Sequence, residues 1–304
     1  MKALVVKSTG LWYEVMNGQK RVTARLRGKF KLDDKKLTNP IAVGDWVEIE
    51  RSSQVEGEWV IIQISDRQNY VIRESPRKKG HDHIIASNID QGVLIVTLKK
   101  PRTSTGFIDR FLITLEAFRI KGVLVFNKED IYSEKEFDKF HELKSIYESI
   151  GYSVHLCQLN NSISEEIKNI FSKKRSLISG HSGAGKSTLI NQLIPDAKQE
   201  VSEISDFANK GVHTTTFAEL FFVDDSSSII DTPGIKELGL SEIEDEELSH
   251  YFPEMREFLG QCKFHNCLHE NEPGCAVKDE VGKSISFLRY ESYLSILRVE
   301  ENRR

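Results

Sequence analysis

The fold is decided by the stretch Ser176-Leu-Ile-Ser-Gly180-His-Ser-Gly-Ala-Gly-Lys-Ser-Thr188, which runs on into Leu189-Ile-Asn-Gln-Leu193. A short apolar strand, a glycine-rich loop and a helix follow one another, and the loop matches G-x-x-x-x-G-K-[ST]. Its glycines let backbone N–H groups converge on phosphate oxygens. We therefore expect nucleotide phosphates to be bound by Gly180, His181, Ser182, Gly183, Ala184, Gly185, Lys186, Ser187 and Thr188. Lys186 is the first catalytic candidate because it can reach the terminal phosphates, and Ser187 supplies a hydroxyl for Mg²⁺.

A second motif follows the apolar strand Val123-Leu-Val-Phe126 and reads Asn127-Lys128-Glu129-Asp130. It matches the N-K-x-D signature of GTP-binding proteins. The Asp130 carboxylate can accept hydrogen bonds from N1–H and the 2-amino group of guanine, whereas adenine would leave a buried carboxylate unpaired. Lys128 is expected to pack along the base, and Asn127 to tie this loop to the phosphate loop. These four residues predict GTP binding and argue against an ATP-dependent nucleotide kinase.

A third motif, Asp231-Thr-Pro-Gly234, follows the strand Ser228-Ile-Ile230 and matches D-x-x-G. Asp231 is expected to hold Mg²⁺ through water, and the Gly234 N–H to sense the γ-phosphate. Upstream, Gly211-Val-His-Thr-Thr-Thr216 lies where a switch threonine should close over Mg²⁺. The sequence does not decide whether Thr214 or Thr215 is this switch threonine, and we choose Thr215 as a catalytic candidate.

The residue after Gly234 is Ile235, at the position where many GTPases have a glutamine that orients the attacking water. A hydrophobic side chain cannot orient water, so slow hydrolysis without a partner is expected. His181 and His213 are conceivable substitutes, and His213 joins Lys186 and Thr215 as a catalytic candidate.

Strands and helices alternate from Val93 to Ile230, which predicts a parallel sheet covered on both faces. The base motif precedes the phosphate loop by about fifty residues, although in an ordinary GTPase it comes last. Such a rotated chain order is permissible where the original termini lie close together.

Residues 1–72 read as five short strands separated by turn signals, which predicts a small barrel. The strands are expected at Ala3–Lys7, Leu11–Met16, Arg21–Leu26, Trp46–Glu50 and Trp59–Ser65. The polar, basic segment Arg73–His83 is the best boundary. From about Glu242 the chain is helical around a group of cysteines. We expect three domains: 1–72, 73–241 and 242–304.

The net charge of −4 hides an asymmetry, because residues 1–80 hold 16 of the 42 Lys and Arg residues but only 10 of the 46 Asp and Glu residues. A basic first segment suggests a polyanionic partner. Most of the barrel's aromatic residues, Trp12, Tyr13, Phe30, Trp46 and Trp59, are expected in its core. Candidate RNA contacts are Arg21, Arg25, Arg27, Lys29, Lys31, Arg73, Arg77, Lys78 and Lys79.

The 304-residue chain is 39% hydrophobic and 29% charged, a globular composition. It lacks an apolar run of the ~18–20 residues that a membrane helix needs and an apolar signal-peptide core. We therefore expect a cytoplasmic protein with no membrane partner.

Three of the four cysteines lie close together, in Cys262-Lys-Phe-His-Asn-Cys267-Leu-His269-Glu-Asn-Glu-Pro-Gly-Cys275. In a reducing cytosol such a cluster indicates metal binding rather than disulfides. Three thiolates and one imidazole form a closed tetrahedral set typical of structural zinc. From the residues alone, His265 and His269 are rival fourth ligands.

A barrel, then N-K-x-D, G-x-S-G-x-G-K-S, G-x-H-T-T-T, D-T-P-G and a cysteine knuckle, in this order, resembles the ribosome-small-subunit-dependent GTPase A family (RsgA, also called YjeQ). The resemblance covers essentially the whole chain. It implies an N-terminal OB-fold, a circularly permuted P-loop GTPase domain and a C-terminal zinc domain. It also implies GTP hydrolysis to GDP and phosphate, stimulated by the small ribosomal subunit, and a role in late maturation of that subunit through its rRNA.

The resemblance also selects His269, so the implied zinc ligands are Cys262, Cys267, His269 and Cys275, with one structural Zn²⁺ per chain. Two departures from the family pattern are visible. Glu129 stands where an aliphatic residue is commoner, and the loop Cys157-Gln-Leu-Asn160 is degenerate, so no base contact is assigned there. A monomer is expected. The competing interpretation is a GTP-controlled binding module whose hydrolysis is incidental.

Overall fold

The structure is a computed structural model that describes residues 1–27, 40–53, 55, 57–74, 82–159, 162–194, 218–232 and 243–301. It has the predicted multi-domain architecture of an N-terminal barrel, a central α/β domain and a C-terminal helical unit. Within these residues no helix combines the length and the apolar character that crossing a membrane requires.

The N-terminal barrel contains the five predicted strands, namely β1 (Lys2–Ser8), β2 (Trp12–Asn17), β3 (Lys20–Leu26), β4 (Trp46–Arg51) and β5 (Trp59–Ile64). It closes because β1 pairs with β2 and β4, and β5 pairs with β3 and β4. Side chains alternate along each strand. Ala3 and Val5 therefore lie in the barrel's own core, whereas Leu4 and Val6 are buried against the central domain.

A two-stranded antiparallel sheet lies where the sequence analysis placed only a polar boundary segment. Its strands are β6 (Tyr70–Glu74) and β7 (Asp82–Ser87), so both ends of the predicted connector are strand residues. Val71, Ile72, Ile84 and Ala86 are buried and give these strands their apolar contacts. The dense charge between the two strands hid this pattern in the sequence.

The central sheet runs in the order β10-β9-β8-β11-β13-β12, in which all but β12 are parallel. Its strands are β8 (Gln91–Val96), β9 (Lys121–Phe126), β10 (Ser153–Leu156), β11 (Arg175–Gly180), β12 (Glu219–Phe222) and β13 (Ser228–Asp231). Its helices are α1 (Thr105–Ala117), α2 (Glu134–Ser149), α3 (Glu165–Phe171) and α4 (Lys186–Leu193). The strand before the base motif, β9, precedes the strand before the phosphate loop, β11, so the chain order is permuted as predicted.

Both faces of the central sheet are covered, which explains why its strands are apolar at successive positions. In β8, Leu94 and Val96 belong to one core cluster, and Val93 and Ile95 to the other. All the parallel strands direct their carboxyl ends to one edge, where open α/β sheets bind ligands.

The barrel and the central domain share one sheet. The N-terminal half of β1 pairs with β4, and near its end Lys7 stands opposite Glu219 of β12, so eleven strands form a continuous sheet. Arg175 reinforces this joint by donating to the backbone oxygens of Gly44 and Asn88, at 3.0 and 3.2 Å.

The C-terminal unit consists of a 3₁₀ helix (Asp245–Tyr251), α5 (Pro253–Arg256), α6 (Ala276–Asp279) and α7 (Phe287–Glu301). Its core cluster includes Phe252, Met255 and Tyr293, together with Ile113 of α1. The unit therefore shares a core with the central domain.

A buried network of ion pairs joins the C-terminal unit to the central domain. Arg289 of α7 pairs with Asp109 of α1 and with Glu254 of α5, at 2.6 Å from Nε to Oε1 for the latter pair. Tyr147 of α2 donates to Asp109 at 2.7 Å, and the guanidinium also lies 4.7 Å from the ring centre of Phe252. The two carboxylates outweigh the cost of burial and raise the pKa of Arg289 well above its usual value.

Candidate nucleotide site and metal centre

The phosphate loop connects β11 to α4, as predicted, and its glycines are required by geometry. Gly180 and Gly185 have φ values of 147° and 112°, which L side chains rarely adopt. A Cβ on Gly180 would lie 2.6 Å from the Ile95 oxygen, and one on Gly185 would lie 2.3 Å from Nδ2 of Asn127. Gly185 also precedes the first turn of α4, whose free N–H groups face the loop.

Lys186 folds back over this loop. Its Nζ donates to the backbone oxygens of Gly180 and His181, at 2.6 and 3.0 Å. Burial lowers the pKa of Lys186, and the charge of Asp231 opposes that shift. Phosphate oxygens would replace these carbonyls as acceptors. Ser182 and Gly183 are exposed, Ala184 is buried, and Ser187 and Thr188 are half-buried at the start of α4.

Asn127 joins three loops, which confirms the predicted tie between the base motif and the phosphate loop. Its Nδ2 donates to the Ala184 oxygen at 2.8 Å, and its Oδ1 accepts from the Leu159 N–H at 2.9 Å. The residue is only 2% exposed. The second bond reaches the degenerate loop after β10, to which no base contact was assigned.

The remaining base-motif residues stand at the carboxyl edge of the sheet. Lys128 adopts a left-handed conformation with φ of 69°, and its Nζ donates to the Lys100 oxygen. Glu129 and Asp130 begin a short 3₁₀ turn, and both side chains are exposed, so the Asp130 carboxylate is available to a ligand.

Tyr132 supports this loop and was missed by sequence reasoning. Its hydroxyl donates to the Asn127 oxygen at 3.1 Å and accepts from the Leu98 N–H at 3.4 Å. Burial raises the pKa of Tyr132 to about 12. A tyrosine just after N-K-x-D is the only sequence signal for this role.

Phe107 is a second residue that sequence reasoning missed. Its ring, at the start of α1, stacks on the His181 ring of the phosphate loop with centroids 4.2 Å apart. The stack fixes one side of the loop to the helix that also carries Asp109.

Asp231 ends β13 beside the phosphate loop. Burial raises the pKa of its carboxyl, and the charge of Lys186 opposes the shift. Within the described residues its Oδ1 is buried and has no hydrogen-bond partner. An unpartnered carboxylate oxygen and a nearby serine hydroxyl are the hard oxygen donors that Mg²⁺ prefers, so these residues fit that ion.

Several predicted site residues lie outside the described residues. They are His213, Thr214, Thr215, Gly234 and Ile235. Their roles remain predictions.

The predicted metal knuckle is assembled. The donor atoms of Cys262, Cys267, His269 and Cys275 lie within 4.8 Å of one another, whereas His265 is exposed and outside the cluster. The sulfurs of Cys262 and Cys275 are 3.9 Å apart, close to the ~3.8 Å expected when tetrahedral Zn–S bonds measure about 2.3 Å. The donor set therefore fits a zinc ion.

Burial shifts the pKa values of three residues of the knuckle. Burial raises the pKa of Cys267 to about 12 and also raises that of Cys275, so a bound cation is needed to hold both as thiolates. Burial lowers the pKa of His269 and favours the neutral imidazole that binds metals. Helix α7 orients the loop, because Tyr290 donates to the His269 oxygen at 2.7 Å.

The arginines of the barrel that were predicted to contact RNA, and that the structure describes, form ion pairs within the protein. Arg21 pairs with Glu14 and Glu219, Arg25 with Glu58, and Arg27 with Glu50. Lys29, Lys31, Arg77, Lys78 and Lys79 lie outside the described residues, and for Arg73 the structure describes only the backbone.

The expectation that most barrel aromatics are core residues holds for two of the four described ones, because Tyr13 and Trp59 pack in the barrel core whereas Trp12 and Trp46 do not. Tyr13 is 3% exposed, but Trp12 and Trp46 are 46% and 36% exposed, and Trp59 is half-buried. Trp12 and Trp46 stand on outward-facing positions of β2 and β4, and the Lys2 Nζ lies 4.9 Å from the ring centre of Trp46, over one of its faces. Phe30 lies outside the described residues.

Two family models match the chain: the RsgA N-terminal domain over residues 2–60 and the RsgA GTPase over residues 64–241. A protein of Cytophaga hutchinsonii named small ribosomal subunit biogenesis GTPase RsgA is 51% identical over 300 residues, covering 98% of each chain. A protein of the same name from Phocaeicola vulgatus is 48% identical and covers 99% of this chain and 97% of its own length.

Solved structures agree with these matches. YjeQ from Thermotoga maritima aligns with a TM-score of 0.78 and 34% identity, over 100% of this chain and 99% of its own. YloQ, described as a circularly permuted GTPase, aligns with a TM-score of 0.74 and 28% identity, over 100% of this chain and 96% of its own.

Proposed function

The chain belongs to the RsgA GTPase family, and on that premise we propose that it binds the small ribosomal subunit and its rRNA and acts in late maturation of that subunit. The observation that carries the proposal is identity of 51% along 98% of a relative named for small ribosomal subunit biogenesis. The chain is a GTP hydrolase by family, and its three nucleotide motifs follow parallel strands that end at one edge of the sheet.

We assign the guanine to the loop after β9. Asp130 accepts from the base, Lys128 packs along it, and Asn127 holds the loop against the phosphate loop. Two observations support this assignment. The Asp130 carboxylate is exposed, and the neighbouring Asn127 amide is buried and makes two hydrogen bonds that hold the loop in place. The phosphates lie along residues 180–188, where Lys186 contacts the terminal phosphates.

We assign Mg²⁺ to Ser187 and, through water, to Asp231. When bound, the ion neutralises charge that develops on the phosphates during transfer. Asp231 keeps a buried carboxylate oxygen free of hydrogen bonds to the described residues, and Lys186 supplies the opposing charge nearby.

Hydrolysis is slow until a partner binds. Phosphoryl transfer needs an oriented water, and Ile235 follows Gly234 where a polar side chain would hold that water. We assign Thr215 as the switch threonine that would bind Mg²⁺, and His213 is the protein's own candidate for orienting the water when the partner is bound.

The flanking domains serve docking. We propose that residues 1–72 form the RNA-binding barrel, residues 73–241 the GTPase domain, and residues 242–304 a zinc domain with one structural Zn²⁺ held by Cys262, Cys267, His269 and Cys275. The exposed rings of Trp12 and Trp46 and the basic balance of the first segment support RNA contact at the barrel. The protein acts in the cytoplasm as a monomer.

Co-sedimentation with each ribosomal subunit in GTP, GDP and a non-hydrolysable GTP analogue tests the proposal. We expect binding to the small subunit that is strongest with the analogue, and single-turnover hydrolysis that small subunits accelerate. Equal binding to large subunits would refute the proposal. Nucleotide-dependent binding without any acceleration would favour the GTP-controlled binding module instead.

A further inference from the structure

One row of cross-strand neighbours crosses the joint between the barrel and the central sheet. Glu14 of β2 stands opposite Lys7 of β1, Lys7 opposite Glu219 of β12, and Glu219 opposite Asp231 of β13. Residues directly opposite one another project from the same face, with Cβ atoms about 4.5–5.5 Å apart. A continuous row of charged side chains therefore extends from the barrel to the end of β13, where Mg²⁺ is assigned.

Glu219 is the centre of this row. Its side chain is 5% exposed and pairs with Lys7 at 2.9 Å and with Arg21 at 2.8 Å. Both of these cations belong to the barrel, whereas the carboxylate belongs to the strand beside Asp231. Two carboxylates directly opposite each other repel unless cations compensate them. Here the barrel compensates Glu219, and Lys186 compensates Asp231.

We propose that Glu219 is a positioning residue for Mg²⁺, whose carboxylate adds negative potential at Asp231 to a degree set by Lys7 and Arg21 of the barrel. The inference rests on the proposed assignment of Asp231. Through this row a ligand of the barrel can affect the magnesium site. A phosphate-rich ligand that binds Lys7 or Arg21 would leave the Glu219 carboxylate less neutralised, and the attraction of the site for Mg²⁺ would increase.

The test is a Mg²⁺ titration of the full-length protein with a fluorescent, non-hydrolysable GTP analogue, read as the Mg²⁺ concentration at half-saturation. Glu219→Gln removes a negative charge next to Asp231 and should raise that concentration about threefold or more. Lys7→Gln removes a positive charge from the same row and should lower it. If Glu219 only holds two strands together, both variants loosen the same joint and shift the titration in the same direction.

Two further variants make the result decisive. Glu50→Gln is the matched control, because Glu50 also pairs with a barrel arginine, Arg27, but lies on β4 away from β12. It should leave the titration unchanged. Asp231→Asn is the reference and should raise the half-saturating concentration most.

Opposite shifts for Glu219→Gln and Lys7→Gln support the proposal. The proposal would be overturned if Glu219→Gln and Lys7→Gln shifted the half-saturating Mg²⁺ concentration in the same direction or not at all, while Asp231→Asn raised it strongly. That result would leave the proposed function intact. An Asp231→Asn variant with an unchanged titration would overturn both the magnesium assignment and this inference.

Discussion

Replacing Arg289 with methionine should lower the free energy of unfolding by about 3–5 kcal/mol. The Arg289 side chain is 1% exposed, and those of Asp109 and Glu254 are 0% and 3% exposed. Methionine fills much of the vacated space but leaves both carboxylates buried without a cation. Removing one partner of a buried ion pair costs this much because the remaining charge is uncompensated.

The matched control is Arg298→Met, the same change on the same helix. Arg298 is 59% exposed and pairs with Glu270. An exposed pair contributes at most about 1 kcal/mol, so this variant should unfold almost as the parent protein does. The comparison separates the loss of a buried charge from the loss of an arginine on α7.

Urea unfolding followed by far-UV circular dichroism and by tryptophan fluorescence provides the measurement. The three tryptophans, Trp12, Trp46 and Trp59, lie on barrel strands. Fluorescence therefore follows the barrel, whereas circular dichroism follows the helices that Arg289 joins. A change below about 1 kcal/mol in Arg289→Met, or equal changes in both variants, would refute the reasoning.

Three further predictions concern the sites. Asp130→Asn should weaken GTP binding about a hundredfold and improve xanthosine triphosphate binding, because the new amide can donate to the xanthine 2-oxygen; unchanged GTP affinity in a titration would contradict the assignment. His269→Ala should lower the zinc content found by elemental analysis, whereas His265→Ala should not. The reverse pattern would show that His265, not His269, is the fourth ligand. Gly185→Ala should abolish measurable GTP binding because its Cβ meets the Asn127 amide. Gly151→Ala, also at positive φ but with no atom within 4 Å of the added Cβ, should cost only stability; equal GTP affinity in the two glycine variants would argue against a rigid loop.

The sequence predicted elements well where several local signals agreed. The strand before Gly180 and the helix after it match the prediction because loop chemistry and apolar pattern point to the same structure. Caps set the exact ends of helices: α1 begins at Thr105 because the Ser104 side chain accepts a hydrogen bond from the Phe107 N–H.

Long-range partners could not be read from local patterns. Asn127 was expected to reach the phosphate loop because the family motif implies it, but nothing in the sequence indicates that Leu159 supplies its second bond. Nothing in the sequence around Arg289 indicates that its charge is buried, because the residues that cover it come from three other helices. The partner of Lys7 lies more than two hundred residues away, beyond any local signal.

The shared edge of β1 has a consequence for how the chain folds as it is synthesised. Strand β1 is made first, and β2 and β4 can pair with it early, but β12 follows about 210 residues later. At about 5–20 residues per second, the end of β1 waits some ten to forty seconds for that partner. Exposed strand ends recruit neighbouring chains, and a lysine on such an edge discourages this. Lys7 therefore places a charge on the open end of β1 until Glu219 pairs with it, and the barrel and the central domain can join their sheets only after β12 has been made.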